Sequence, residues 1–151
     1  MKDGANFKGM KKAELVAMLE ELYCCDSPKI SDSGDIAKIY RSIVGRKKQE
    51  HFLASYLDGA GKMIRTDVLF IGTVNRSMVH PREVFAPAIE LRAVSVIIGH
   101  NHPSGSVEPS TEDINMTKRL VEAGRILGIE IADHVVFTNT HHYSFRGNGH
   151  I

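Results

Sequence analysis

The sequence predicts an α/β or α+β domain in which helices cover a mixed β-sheet. Two helical patterns come first, a pair of apolar segments follows, and helical and strand patterns then alternate. The segments between these patterns are short and rich in glycine, proline and polar residues, as connecting turns are. The 151 residues are enough for one domain with a sizeable core.

Two helices are predicted ahead of the sheet from the spacing of their apolar residues. Over Met10–Cys24 these residues recur every three or four positions, which is typical of an amphipathic helix. The same periodicity runs over Ser33–Val44, and Gly45 follows as a helix stop. The residues expected on the core face of this second helix are Ile36, Ile39, Tyr40 and Ile43.

A β-hairpin is predicted next, because two apolar and aromatic segments flank a glycine-rich turn. The segments are Glu50–Asp58 and Lys62–Ile71, and the turn is Asp58-Gly59-Ala60-Gly61. Residues 72–79 are expected to form a connecting loop.

The remaining residues are expected to alternate between helix and strand. Pro81 suits the first turn of a helix, and Gly128 suits the end of another. The apolar run Val94–Gly99 is typical of a strand buried on both faces. The predicted elements are a helix over Pro81–Arg92, a strand over Val94–Gly99, a helix over Ser110–Leu127, and strands over Ile129–Phe137 and His142–Phe145.

Charge and hydrophobicity argue against two classes of partner. Nineteen basic and eighteen acidic residues leave a net charge of +1, which gives no broad attraction for nucleic acid or membranes. The short basic stretch Arg46-Lys47-Lys48 is typical of a solvated loop. No segment approaches the 18 apolar residues of a membrane-spanning helix.

The two cysteines, Cys24 and Cys25, are adjacent. Neighbouring cysteines rarely bridge each other, and this pair lacks the spacing of a cysteine-rich zinc site. An apolar leader segment is also missing from the N-terminal residues. A reducing, cytoplasmic location is therefore expected.

The segment that carries chemistry begins where the buried strand ends. His100 and His102 are two residues apart, so in an extended chain their side chains project to the same side. A Pro-Ser-Gly turn follows, and Asp113 then lies in the first turn of the next helix. Two imidazoles and a carboxylate are the ligand set of a catalytic zinc site, which keeps a fourth position for water.

Two questions stay open from the residues alone. Ser110 and Asp113 have the spacing of a helix capping box, which explains both residues without a metal. A hydrolytic zinc site also needs a general base that is not a ligand, and either Glu50 or Glu83 suits that role.

The spacing His-x-His, seven residues, Ser, two residues, Asp is similar to the motif of the JAMM (JAB/MPN) metalloprotease superfamily. Here it falls on His100, His102, Ser110 and Asp113 without a gap. Flanking segments narrow the resemblance to the RadC family of bacterial proteins, over about two-thirds of the chain. These segments are Gly72-Thr73-Val74-Asn75, Pro81-Arg82-Glu83, His100-Asn101-His102-Pro103-Ser104-Gly105 and Asp133-His134.

The resemblance implies a three-layer, cytidine-deaminase-like α/β sandwich with Zn²⁺ held by the two histidines and Asp113. It implies that Glu50 is the general acid and base and that Glu83 is structural. It also implies that Ser110 polarises the scissile carbonyl. The expected activity is hydrolysis of a peptide or isopeptide bond in a protein substrate by metal-activated water.

The resemblance also divides the chain into an N-terminal helical extension over residues 1–45 and a RadC-like hydrolase domain over residues 46–151. Full-length family members resemble two-part chains with a helix-hairpin-helix region, and the first 45 residues here lack its glycine-rich hairpin. A nucleic-acid partner is therefore not expected. The alternatives are a zinc-containing binding module without catalysis, and an accessory protein of DNA repair or processing.

Overall fold

The computed structural model describes residues 28–72 and 79–151. The helix predicted over Met10–Cys24 lies outside the described residues, as does most of the loop predicted over residues 72–79. The elements in chain order are α1 (Ser33–Val44), β1 (His51–Leu57), β2 (Met63–Ile71), α2 (Pro81–Glu90), β3 (Ser95–Asn101), α3 (Thr111–Leu127), β4 (Glu130–Phe137) and β5 (His142–Ser144).

The five strands form one mixed sheet in the order β2-β1-β3-β4-β5. Strands β3 and β4 are parallel and are joined by α3, whereas each of the other neighbouring pairs is antiparallel. Helix α1 packs on one face, and α2 and α3 pack on the other. The expected three-layer α/β fold is therefore confirmed.

Alternating side chains divide the core into two apolar clusters, one on each face of the sheet. In β1, Phe52 faces the α2 and α3 side, and its neighbour Leu53 faces α1. In β3, Ile98 faces α2 and α3, and Ile97 faces α1. The residue after Gly99, His100, therefore projects toward α3 like Ile98.

Helix α1 has the predicted limits, but its buried face differs from the prediction. Asp32 caps its first turn by accepting a hydrogen bond from Asp35 N, and Gly45 ends it with a φ of 63°. The expected core residue Ile43 is 45% exposed. Val44 is buried instead, because it lies one and two turns beyond Tyr40 and Ile36 on the same face.

The main difference in the sheet is that β3 is longer than predicted. It continues past Gly99 through His100 and Asn101, whose backbones pair with Val136 and Phe137 of β4. Polar residues are rare in a strand buried on both sides, and this made the sequence prediction stop early. No helix within the described ranges is both long and apolar enough to cross a lipid bilayer.

Gly99 is a point of close contact between α1 and the sheet. A Cβ atom added there would lie 2.5 Å from Tyr40 Cε2 and 2.7 Å from the carbonyl oxygen of Val135. The Tyr40 ring has little freedom to retreat, because its hydroxyl donates a 2.8 Å hydrogen bond to Ile97 O and the ring is fully buried.

We expect Gly99→Ala to destabilise the fold by about 1–3 kcal/mol through overpacking, as measured by urea denaturation. The matched control is Gly59→Ala in the hairpin turn, where the nearest atom to a new Cβ is Val94 Cγ2 at 3.9 Å. Equal stability of the two variants would contradict this account of the α1 contact.

Candidate metal centre

Three predicted ligands meet at the end of β3, beneath the first turn of α3. The Nε2 atoms of His100 and His102 are 2.9 Å apart. Asp113 Oδ1 lies 3.3 Å from His100 Nε2, and Asp113 Oδ2 lies 3.8 Å from His102 Nε2. The three ligand atoms lie within 4.8 Å of one another and form a group that could hold a metal ion.

The carboxylate of Asp113 takes part in both arrangements that the sequence left open. Its Oδ2 accepts hydrogen bonds from the Ser110 amide at 2.8 Å and from the Ser110 hydroxyl at 2.6 Å. Ser110 Oγ in turn accepts from the Asp113 amide, which completes the capping box of α3. The cap uses Oδ2, so Oδ1 is left facing His100.

The same contacts keep Asp113 ionised. Burial raises the pKa of this carboxyl, but the contact with His100 and the hydrogen bonds from Ser110 lower the pKa by more. The net pKa lies well below the usual aspartate range. Asp113 therefore contributes a full negative charge to the site at neutral pH.

The proton position on His102 follows from its neighbour in the turn after β3. His102 Nδ1 is 2.8 Å from the carbonyl oxygen of Ser106. A carbonyl oxygen can only accept, so Nδ1 carries the proton and donates it. In the neutral ring Nε2 then presents a lone pair toward His100 and Asp113.

The proton position on His100 is set by a buried chain of hydrogen bonds through His134 and Thr117. The Thr117 hydroxyl donates to the carbonyl oxygen of Asp113 at 2.6 Å, so its oxygen accepts from His134 Nδ1, also at 2.6 Å. Burial holds the pKa of His134 well below its usual range, so the ring is neutral. Its Nε2 must then accept from His100 Nδ1 at 2.9 Å, which in the neutral His100 ring leaves a lone pair on Nε2.

Three acceptor atoms therefore face one another across a space that the protein largely closes. His100 is 1% exposed and Asp113 is 7% exposed, so water screens their repulsion poorly. When both imidazoles are neutral, none of the three atoms has a proton to share in this arrangement. Two imidazole nitrogens and a carboxylate oxygen suit a divalent zinc ion, so the donor set fits the metal that the motif implies.

His134 and Thr117 were not among the predicted site residues. Asp133-His134 stood out in the sequence as a pair, but nothing local shows that β4 places His134 beside His100. Phe145 stacks on the His134 ring, with centroids 4.4 Å apart, and seals it from solvent. One feature of the sequence could have identified Thr117 as a neighbour of the site: it lies one helical turn after Asp113, on the same face of α3.

Asn101 is a third residue that was not among the predicted site residues. Its side-chain oxygen accepts from the His51 amide at 2.6 Å, and its side-chain nitrogen donates to Gln49 O at 3.0 Å. These two contacts hold the backbone on either side of Glu50. The Glu50 carbonyl also accepts from the Gly72 amide at 2.9 Å, so the chain around Glu50 is held on both sides.

The two predicted candidates for the general base lie in different places. Glu50 lines a depression of about 390 Å³ together with Pro103 and Ser104, which directly follow His102. Glu83 lies in the first turn of α2 and forms an exposed ion pair with Arg82 at 2.8 Å. Ser110, the last predicted site residue, is exposed at the N-terminus of α3.

The family comparison agrees with this geometry. The family model described as "RadC-like JAB domain" matches residues 30–150. A UPF0758 protein of Geobacillus kaustophilus is 42% identical over 155 residues, which cover 97% of this chain and 69% of the relative. Another, from Methanospirillum hungatei, is 47% identical over 82% of this chain and 55% of the relative.

A third relative, a UPF0758 protein of Bacillus mycoides, is 50% identical over 69% of this chain and 46% of its own length. The chain thus spans about half the length of several relatives that it matches. Their shared name states no activity. The family match covers most of the described residues, including all three metal-site residues, so the chain belongs to the RadC-like JAB domain family.

Proposed function

We propose that this protein is a zinc-dependent hydrolase that cleaves a peptide or isopeptide bond. The observation that carries the proposal is the convergence of three lone-pair acceptors, on His100, His102 and Asp113, in a mostly buried site. Such a group is unfavourable unless a cation lies between its members. The family match supports the same conclusion.

His100, His102 and Asp113 would hold the zinc ion through Nε2, Nε2 and a carboxylate oxygen. A bound zinc ion supplies a Lewis acid that lowers the pKa of a water molecule to about 7. Other residues of the chain orient the three ligand side chains. Ser106 O and His134 orient the two imidazoles, and Ser110 fixes one oxygen of Asp113.

Glu50 is the proposed general acid and base. It accepts a proton from the attacking water and donates it to the leaving amine nitrogen as the amide C–N bond breaks. The antiparallel register that pairs Phe52 with His100 supports this role. When this register is continued by two residues, Glu50 comes to lie beside His102, on the same face of the sheet.

Ser110 is proposed to donate a hydrogen bond to the substrate carbonyl oxygen as negative charge develops there. Its hydroxyl donates to Asp113 Oδ2 in the resting arrangement, and rotation about one side-chain bond redirects it. The position at the N-terminus of α3 supports the role, since the helix dipole favours negative charge there.

The role of Glu50 is tested with Glu50→Gln. We expect zinc content to stay unchanged and peptide cleavage to fall by at least ~100-fold, because the proton acceptor is lost while the ligands remain. Metal analysis and a peptide-library cleavage screen measure the two quantities. Glu83→Gln is the matched control and should retain activity, and cleavage by Glu50→Gln at the wild-type rate would refute the assignment.

The ligand set is tested with His102→Ala and with Asp113→Ala. Each variant should lose most of its zinc, measured by elemental analysis of the purified protein, because two ligands hold zinc far more weakly than three. His141→Ala, which removes an exposed histidine outside the group, should keep the wild-type zinc content. Zinc content that is unchanged in His102→Ala and Asp113→Ala would show that the metal lies elsewhere.

The buried hydrogen-bond chain is tested with Thr117→Val. Loss of the hydroxyl removes the acceptor for His134 Nδ1, so the proton on His134 can move to Nε2 and reverse the proton order on His100. We expect zinc affinity to fall by ~10-fold or more, measured by competition with a chromophoric chelator. Thr117→Ser keeps the hydroxyl and should bind zinc like the wild type, whereas equal loss in both variants would indicate a packing effect.

Zinc bound at this site with no cleavage of any library peptide would favour the alternative of a zinc-containing binding module.

A further inference from the structure

A cleft with a volume of about 340 Å³ opens beside the metal site. It lies beyond the carboxyl ends of the parallel strands β3 and β4, the place where open α/β sheets commonly bind ligands. We call it the basic cleft. The residues that define it are Arg46, Lys47 and Lys48 on one side, His102 on the second, and Thr138 and Asn139 on the third.

The charge of the basic cleft is of one sign. Among the described residues, its lining contains three exposed cationic side chains and no carboxylate. Among residues 28–72 and 79–151, no acidic group forms an ion pair with Arg46, Lys47 or Lys48. The protein as a whole has a net charge of only +1, so this concentration of positive charge is local.

A fourth cation, Arg41, lies close to the basic cleft and contacts one of its lining residues. Arg41, in the last turn of α1, donates to the carbonyl oxygens of Thr138 and His141 at 2.7 and 2.8 Å. Both acceptors are uncharged carbonyl oxygens, and Thr138 is one of the residues that line the cleft. Three cationic side chains thus line a space that reaches His102, and Arg41 lies behind one of its lining residues.

We propose that the basic cleft binds the acidic residues of a peptide substrate whose scissile bond lies at His100, His102 and Asp113. The inference rests on the proposed hydrolase function and adds the substrate class to it. Lysine and arginine side chains at the rim recognise carboxylates through charge-assisted hydrogen bonds. Because His102 forms one wall, a residue bound in the cleft is close in sequence to the bond being cleaved.

The lining favours an acidic peptide over a single-stranded nucleic acid. Proteins that bind single strands stack the bases on exposed aromatic side chains. Among the described residues that line the cleft, the only Phe, Tyr or Trp side chain is that of Phe137, which is 2% exposed and packs against Tyr40 on the α1 side. The cleft therefore offers charge without a stacking surface.

The experiment measures peptide binding and peptide cleavage separately, with the full zinc-supplemented chain. One probe is a fluorescein-labelled peptide rich in glutamate, and its partner has glutamine at each of those positions. The test variant is Arg46→Ala/Lys47→Ala/Lys48→Ala. The matched control, Lys118→Ala/Arg119→Ala/Arg125→Ala, removes the same charge from the exposed side of α3. Thermal melting verifies that both triple variants are folded.

We expect the wild type to bind the glutamate peptide more tightly than the glutamine peptide. The cleft variant should lose about tenfold in affinity for the glutamate peptide alone, since each exposed pair contributes a modest amount. The control variant should bind both peptides like the wild type. Added salt should weaken binding of the glutamate peptide and leave the glutamine peptide unaffected.

Equal affinity of the wild type for both peptides would overturn the inference, as would equal affinity of the wild type and the cleft variant for the glutamate peptide. Tighter binding of a labelled oligothymidine, lost in the same variant, would overturn it in favour of a nucleic-acid cleft. Cleavage of both peptides at equal rates would reject the acidic specificity while the hydrolase proposal stands. Charge-dependent binding without any cleavage would support the cleft and reject the hydrolase.

Discussion

The rest of the site depends on one constraint: three acceptor atoms must be held close together where little water can screen them. The Nε2 atoms of His100 and His102 and one oxygen of Asp113 repel one another without a cation. Side chains left to themselves would rotate away from this arrangement. Hydrogen bonds between these three groups and Ser106, Ser110 and His134 oppose that rotation, so the fold itself holds the groups in an arrangement that could bind a metal ion.

Several of these groups serve the fold and the site at once. The capping box that starts α3 also fixes Asp113, so stabilisation of the helix and orientation of the ligand are one interaction. Asn101 likewise replaces backbone partners at the start of β1 while it holds the residues on either side of Glu50. Since stability and chemistry share these residues, a substitution such as Ser110→Ala should affect both together.

Elements with strong local signals were predictable from the sequence, and long-range contacts were not. Periodicity and the stop glycines, Gly45 and Gly128, located α1 and α3 almost to the residue. The spacing of His100, His102 and Asp113 predicted that these side chains converge, because strand and helix geometry relate the three residues locally. The link from His100 to His134 depends on the β3–β4 pairing, which no local pattern encodes. The domain boundary at residue 45, the role of Glu50 and the substrate stay predictions.

The alternation of side chains at the end of β3 has an evolutionary consequence. His100 projects toward α3, and Asn101 turns the other way to hold the chain around Glu50. Inserting or deleting a single residue in this strand would exchange the two sides and disrupt both arrangements together. In proteins descended from this chain the residue types of β3 can therefore change, but the number of residues between Gly99 and His102 cannot.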